Sequence, residues 1–270
     1  MEESASREEI AAATAYEQLH VPSLFQQWSP RVAEAAHIGP GHRVLDVACG
    51  TGILAREFAS RVGADGAVVA VDPSRGFLSV ARELAPEIDW RLGTAEALPC
   101  EPSEDDSFDA VVSQFGLMFF EDRPKALREM MRVLAPGGRL VVAVWDSLEN
   151  SEAYADEVAL LDRIGGKRAG DALRAPFVMG DVEELRSLFE SSGVSSVEIT
   201  THHGTGRFPN VRTMVEADLR GWLPVMGVHL GEAQIARILD EADEALRRFV
   251  TSDGTVVFDS PAHIVRGVKP

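Results

Sequence analysis

The chain has 270 residues, 45% hydrophobic and 26% charged, which allows one large α/β domain and excludes disordered and collagen-like classes. Its formal net charge of −17 comes with no basic stripe, so a nucleic-acid partner, whose phosphates demand Lys and Arg, is excluded too. No run approaches the roughly 18 apolar residues of a membrane span. Met1-Glu2-Glu3-Ser4 lacks a secretory pattern, and Cys49 and Cys100 are too few for a disulfide framework or a metal cluster. A cytoplasmic protein without metal is the expectation.

Residues 6 to about 37 predict two helices, with apolar positions at Ala12, Ala15, Tyr16 and Leu19 and a break at Val21-Pro22. A β/α alternation follows. Arg43–Val47 reads as a strand entering a glycine-rich turn, and Ile53–Val62 as a helix closed by Gly63. Ala67–Val71 is continuously apolar, as in a strand buried on both faces. Asp72-Pro73-Ser74 opens a helix to about Leu84. Asp89–Leu92, Phe108–Ser113 and Arg139–Trp145 read as further strands, with a helix from Pro124 to Leu134 before the last. This spacing predicts a doubly wound, mostly parallel sheet with helices on both faces.

After Trp145 the pattern turns helical over 147–175 and 181–191. Val197–Thr201 is strand-like, 211–250 is helical, and Thr255–Phe258 and His263–Val268 are strand-like. The expected organisation is an N-terminal helical segment (1–38), an α/β core (39–205 and 251–270) and a helical insertion or lid (206–250) between the last two strands.

A parallel sheet binds ligands where its strands end, so the first strand-to-helix turn is the place to look. Gly50 and Gly52 permit a tight turn and close backbone approach, but Gly-x-Gly alone is weak evidence. Asp46, inside the strand end, suits a ligand carrying an ammonium and a sulfonium better than a pyrophosphate. Asp72, twenty residues after Gly52, stands where a carboxylate can accept both ribose hydroxyls, or where it can cap the next helix.

Five segments in order then resemble the class I S-adenosylmethionine-dependent methyltransferases. They are Val44–Gly52, Val69–Asp72, Gly93–Pro99, Phe108–Phe115 and Arg132–Leu140, with Ala48 where many members carry glycine. The resemblance is closest to the ubiquinone/menaquinone-biosynthesis type and fades beyond about Ser151. It implies a Rossmann-like, seven-stranded fold, S-adenosyl-L-methionine as co-substrate, and methyl transfer to an O, N or C atom of a small-molecule acceptor.

It further implies that Asp46 and the Ala48, Cys49, Gly50 and Gly52 backbone hold the methionine end. Asp72 would take the ribose, Pro73 and Phe77 would lie near the adenine or ribose, and Thr94, Ala95 and Glu96 would line the adenine side. Gln114 and Phe115 would flank the cofactor and face the acceptor, and Tyr16 and Phe25 would fold over the methionine moiety or simply pack.

Positioning supplies most of the catalysis of such a displacement, so no obvious catalytic residue is expected. His229, beside Trp222, Pro224 and Met226, is the first candidate base, ahead of His202 and His203. Asp146 reads as a helix cap. Cys49, near a helix N-terminus, is expected to have a lowered pKa but no nucleophilic role, and Trp28, Trp145 and Trp222 are expected to pack. The alternatives are an NAD-dependent oxidoreductase and a non-catalytic S-adenosylmethionine-binding module. The partner implied is a small-molecule acceptor, with the chain acting as a monomer or homodimer.

Overall fold

The computed structural model describes residues 5–270. The acidic Met1–Ser4, on which the non-secretory expectation rests, lies outside the described residues. Helix α1 (Arg7–Ala15) starts at Ser6, whose Oγ accepts from Glu9 N while the Glu9 carboxylate accepts from Ser6 N at 2.7 Å. This reciprocal cap satisfies two N–H groups that a helix start leaves free.

The chain does not break at Pro22. It continues through Tyr16–Phe25 in wider, π-type turns, then a short 3₁₀ turn (Gln26–Trp28) and α2 (Ser29–Ala35). A widened turn accommodates a residue without an N–H, so the proline is absorbed instead of ending the helix.

Strands β1 (Arg43–Val47), β2 (Ala67–Asp72), β3 (Asp89–Leu92), β4 (Phe108–Gln114) and β5 (Leu134–Trp145) pair in parallel. Helices α3 (Ile53–Val62), α4 (Arg75–Leu84) and α5 (Arg123–Val133) form the crossovers. Helix α3 buries Leu54, Ala55, Phe58 and Val62, the one-sided pattern of a helix lying on a sheet. Helix α4 is capped by Ser74, whose Oγ accepts from Phe77 N, so Asp72 is free of that duty.

Helices α6 (Glu152–Ile164), α7 (Lys167–Arg174) and α8 (Val182–Ser191) lead to β6 (Ser195–His202). There follow β7 (Thr205–Phe208), α9 (Val211–Glu216), a wide-turned segment Ala217–Trp222, one turn α10 (Leu223–Val225) and α11 (Glu232–Ala245). The chain closes with β8 (Val256–Asp259) and β9 (Ala262–Val268). The seven-stranded sheet runs β3-β2-β1-β4-β5-β9-β6, with β9 antiparallel to both neighbours.

Thr255–Phe258, read from sequence as part of the core, falls elsewhere. It pairs with β7 in a separate two-stranded ribbon that frames the insertion. The helical layer over the strand ends also draws on more chain than 206–250. Helices α6 and α7 pack with α11 and α10, and Trp222 Nε1 donates to Ala172 O at 3.0 Å. Residues 152–177 and 205–259 thus form one cap. Among the described residues, no helix is long and apolar enough to cross a membrane.

Phe58 is fully buried between α3 and the sheet. Phe58→Ala should cost about 3–5 kcal/mol, through lost transfer energy and an unfilled cavity. Urea denaturation measures this, and an unchanged midpoint would contradict the packing.

Candidate active site

The end of β1 and the turn after it concentrate unusual backbone. Ala48, Gly50 and Gly52 all have positive φ (58°, 57° and 87°), a region that L side chains rarely adopt. At Gly52 space is as restrictive as conformation, since a Cβ would lie 2.2 Å from the Trp90 ring. That ring is pinned by its own Nε1, which donates to Ala85 O at 2.8 Å.

Asp72, at the tip of β2, ties the turn to the neighbouring strand. One oxygen accepts from Gly50 N at 2.9 Å and the other from Ser74 N at 2.8 Å. Burial raises its pKa to about 6, although both N–H groups pull it down. Asp46 is wholly buried and neither of its oxygens has a hydrogen-bond partner. Burial, and then the Asp72 carboxylate, push its pKa well above the usual range. An orphaned buried carboxylate is costly, so this corner is suited to a ligand that brings positive charge and hydroxyl donors.

Cys49 differs from expectation. Burial and the Asp72 and Asp46 carboxylates raise its thiol pKa, outweighing any help from the start of α3.

The other proposed cofactor residues surround this turn. Pro73 is exposed, and Phe77 packs against Tyr16 with ring centres 5.1 Å apart. Ala95 is buried in the turn bridged by Thr94 and Ala97, and Glu96 accepts from Glu121 N at 2.8 Å, which fixes the loop after β4. Gln114 Nε2 donates to Phe25 O and its Oε1 accepts from Ser29 Oγ, both at 3.4 Å, so the N-terminal helices are fastened to the tip of β4. Phe115 has φ 58° and stacks on Trp145 at 3.8 Å. Next to it, a Cβ on Gly116 would meet Ala48 Cβ at 2.6 Å, so glycine lets the β4 exit lie directly on the β1 turn.

Beside this turn lies a cavity of about 70 Å³. Eight of its fourteen lining residues carry aromatic rings: Tyr16, Phe25, Phe115, Phe119, Trp145, Tyr154, Phe177 and Trp222. Trp145 and Trp222, expected merely to pack, are therefore walls. Trp28 is fully buried behind them, edge-on to Trp145. His20, Asp218 and Ser260 bring polarity, and no Lys or Arg lines the space.

The histidines sort by position. His229 is exposed and is not a lining residue, so the structure offers it no route to the cavity. His202 and His203 line a separate polar hollow with Arg31 and Arg266. His263 is held inside the sheet by Thr201 Oγ1 at 2.9 Å and Gly180 O at 3.0 Å. Asp146 accepts from Ser147 N at 2.6 Å, in the turn before α6. Among the described residues His20 is the one histidine at the cavity, and sequence reasoning missed it. The available signal was its i+4 spacing from Tyr16, which had been singled out.

Residues 45–142 match the family described as "Methyltransferase domain". Over 199 residues the chain is 34% identical to the ubiquinone/menaquinone biosynthesis C-methyltransferase UbiE of Proteus mirabilis, covering 67% of this chain and 77% of that protein. The chain belongs to the class I S-adenosylmethionine-dependent methyltransferases of the UbiE type. S-adenosylmethionine is its co-substrate, which removes the NAD-dependent alternative. A demethylmenaquinone methyltransferase of Renibacterium salmoninarum is 48% identical over 118 residues, and that match spans about half of each chain, 44% of this one and 47% of the relative. The fold is shared with a phosphoethanolamine N-methyltransferase of Haemonchus contortus solved with S-adenosyl-L-methionine. There the TM-score is 0.61 at 17% identity, over 97% of this chain and 57% of that one.

Gly52→Ala joins a disfavoured φ to a collision with a pinned indole. It should destabilise the protein by roughly 1–3 kcal/mol. A denaturation midpoint equal to the parent's would contradict the tight turn.

Proposed function

We propose that this chain transfers the methyl group of S-adenosylmethionine to an uncharged, hydroxylated aromatic small molecule seated in the cavity. The observation that carries the reading is the cavity itself, aromatic on most sides and lined by no Lys or Arg among the described residues, beside the turn that the family uses for the co-substrate. Aromatic walls bind flat apolar rings well. A carboxylate or phosphate would find no counter-charge there and would face Asp218. The names of the relatives, which refer to ubiquinone, menaquinone and demethylmenaquinone, point the same way, toward a quinol.

In this reading Asp46 takes the methionine ammonium and the backbone from Ala48 to Gly52 lies along the methionine moiety. Asp72 accepts the ribose hydroxyls. Pro73, Phe77, Thr94, Ala95 and Glu96 border the adenosine, while Tyr16, Gln114 and Phe115 separate the two ligands at the methyl group. The co-substrate supplies an already activated electrophile, a methyl on a sulfonium. The chain's own task is to hold the attacking atom in line and keep water out. Residues 39–151, 178–204 and 260–270 serve as the binding core and the cap as the acceptor-selecting part, in a cytoplasmic protein.

The test is to incubate the protein with S-adenosylmethionine and reduced 1,4-naphthalenediol, following S-adenosylhomocysteine and a once-methylated diol by mass spectrometry. Both should appear together. Tight co-substrate binding with no S-adenosylhomocysteine would favour a non-catalytic binding module.

Asp72→Ala should weaken S-adenosylmethionine binding by about 1–3 kcal/mol, measured by calorimetry, and unchanged affinity would remove Asp72 from the site. The parent's affinity should also depend on pH. Asp72 is ionised above about 6 and protonated below it, so affinity is full on the alkaline side and declines as pH falls through that value. A flat profile across this window would contradict the role.

A further inference from the structure

At one side of the cavity, an imidazole and a carboxylate from distant parts of the chain meet away from water. His20 comes from the wide-turned N-terminal segment and Asp218 from the wide-turned segment of the cap; both are buried and both line the cavity. His20 Nε2 and Asp218 Oδ1 are 3.2 Å apart. Glu157 lies on α6 with no exposure at all, and neither of its oxygens has a partner. His20 Nδ1 and Asp218 Oδ2 are unpartnered as well. Native interiors rarely leave several polar atoms unsatisfied together, because each is costly, and such clusters mark function more often than packing.

The geometry assigns roles. With Nε2 turned to the Asp218 carboxylate, the neutral ring carries its proton there and leaves the lone pair of Nδ1 free. Gly221 lies against this edge of the ring, where a Cβ would be 3.5 Å from Cε1 and 4.0 Å from the buried Nδ1, so only a side-chain-free backbone borders it. Tyr16 stacks on the other side of the imidazole at 5.5 Å. Burial, and then Asp218, raise the Glu157 pKa well above the usual range. A carboxylate that fixes the tautomer of a buried imidazole and stabilises its protonated form is the arrangement of a general base with its positioning partner.

We propose that His20 is the general base of the transfer, taking the hydroxyl proton of the acceptor at Nδ1, and that Asp218 positions it. This rests on the reading of the cavity as the acceptor site. The proton passes from the hydroxyl to His20, leaving its electron pair on the acceptor oxygen and delocalised into the ring. That pair forms the bond to the sulfonium methyl carbon, and the pair of the broken carbon–sulfur bond stays on sulfur. If a ring carbon attacks, the ring hydrogen then leaves as a proton and the hydroxyl is restored. Either way one proton is released per methyl. The groups facing His20 that bear on its titration are Tyr16, Asp218 and, behind Asp218, Glu157 and Tyr154.

The experiment compares the parent with His20→Gln and the near-isosteric Asp218→Asn, using reduced 1,4-naphthalenediol as probe. Calorimetry reads S-adenosylhomocysteine binding, tryptophan fluorescence reads binding of the diol, and single-turnover rates are taken across pH. Both variants should bind S-adenosylhomocysteine and diol within about threefold of the parent. His20→Gln should lose roughly 10²-fold or more in rate, together with the rising alkaline limb of the pH profile. Added imidazole should restore part of the rate of His20→Ala. Parent-like rates in the variants, or a loss that follows weakened diol binding with the alkaline limb intact, would overturn the assignment and leave a structural pair. A parent that binds S-adenosylhomocysteine but never methylates the diol would overturn the acceptor reading, and this inference with it.

Discussion

The site depends on one carboxylate. Asp72 accepts from Gly50 N and Ser74 N, so it locks the first glycine turn to the start of α4 across two adjacent strands. Parallel pairing of β1 with β2 brings those elements together, and in the sharp turn Cys49 N donates to Val71 O, Gly50 N to Asp72 and Gly52 N to Cys49 O. The cost is two buried carboxylates, Asp46 and Asp72, facing one corner with raised pKa values and no cation of the chain's own between them. A ligand carrying an ammonium and vicinal hydroxyls relieves that cost. The electrostatic cost of this corner and its fit to such a ligand have the same origin.

The cap answers a different requirement. Methyl transfer needs a dry, shaped space next to a fixed electrophile, and in the proposed reading the chain builds it by fastening aromatic side chains to rigid elements. Phe115 and Trp145 stack at the ends of β4 and β5, while Gln114 and Ser29 hold the N-terminal helices over them. Trp222 is anchored through its indole N–H to α7. The wall therefore combines strand tips shared with the family fold and side chains from the two helical stretches beyond them.

Legibility in the sequence followed locality. The β/α alternation, the glycine turn and Asp72 are written in short segments whose period or turn chemistry is self-contained, so they could be read directly. Thr255–Phe258 could not, because a four-residue strand carries no sign of which sheet it joins, and its partner Thr205–Phe208 is about fifty residues away. Pro22 misled for a related reason: a wide helical turn absorbs a proline, and nothing local announces it. His229 drew attention through Trp222, Pro224 and Met226 near it in sequence, whereas His20 meets Asp218 across 198 residues and becomes visible only when the cap is folded. The proposed cofactor corner is thus local and the proposed acceptor corner is tertiary.

The account is tested most directly by a crystal structure with S-adenosylhomocysteine bound. It should place the ribose hydroxyls on Asp72, the amino group beside Asp46, and the sulfur at the mouth of the aromatic cavity between Tyr16 and Phe115. A sulfur turned away from that cavity, with Tyr16 and Trp145 remote from it, would contradict the account.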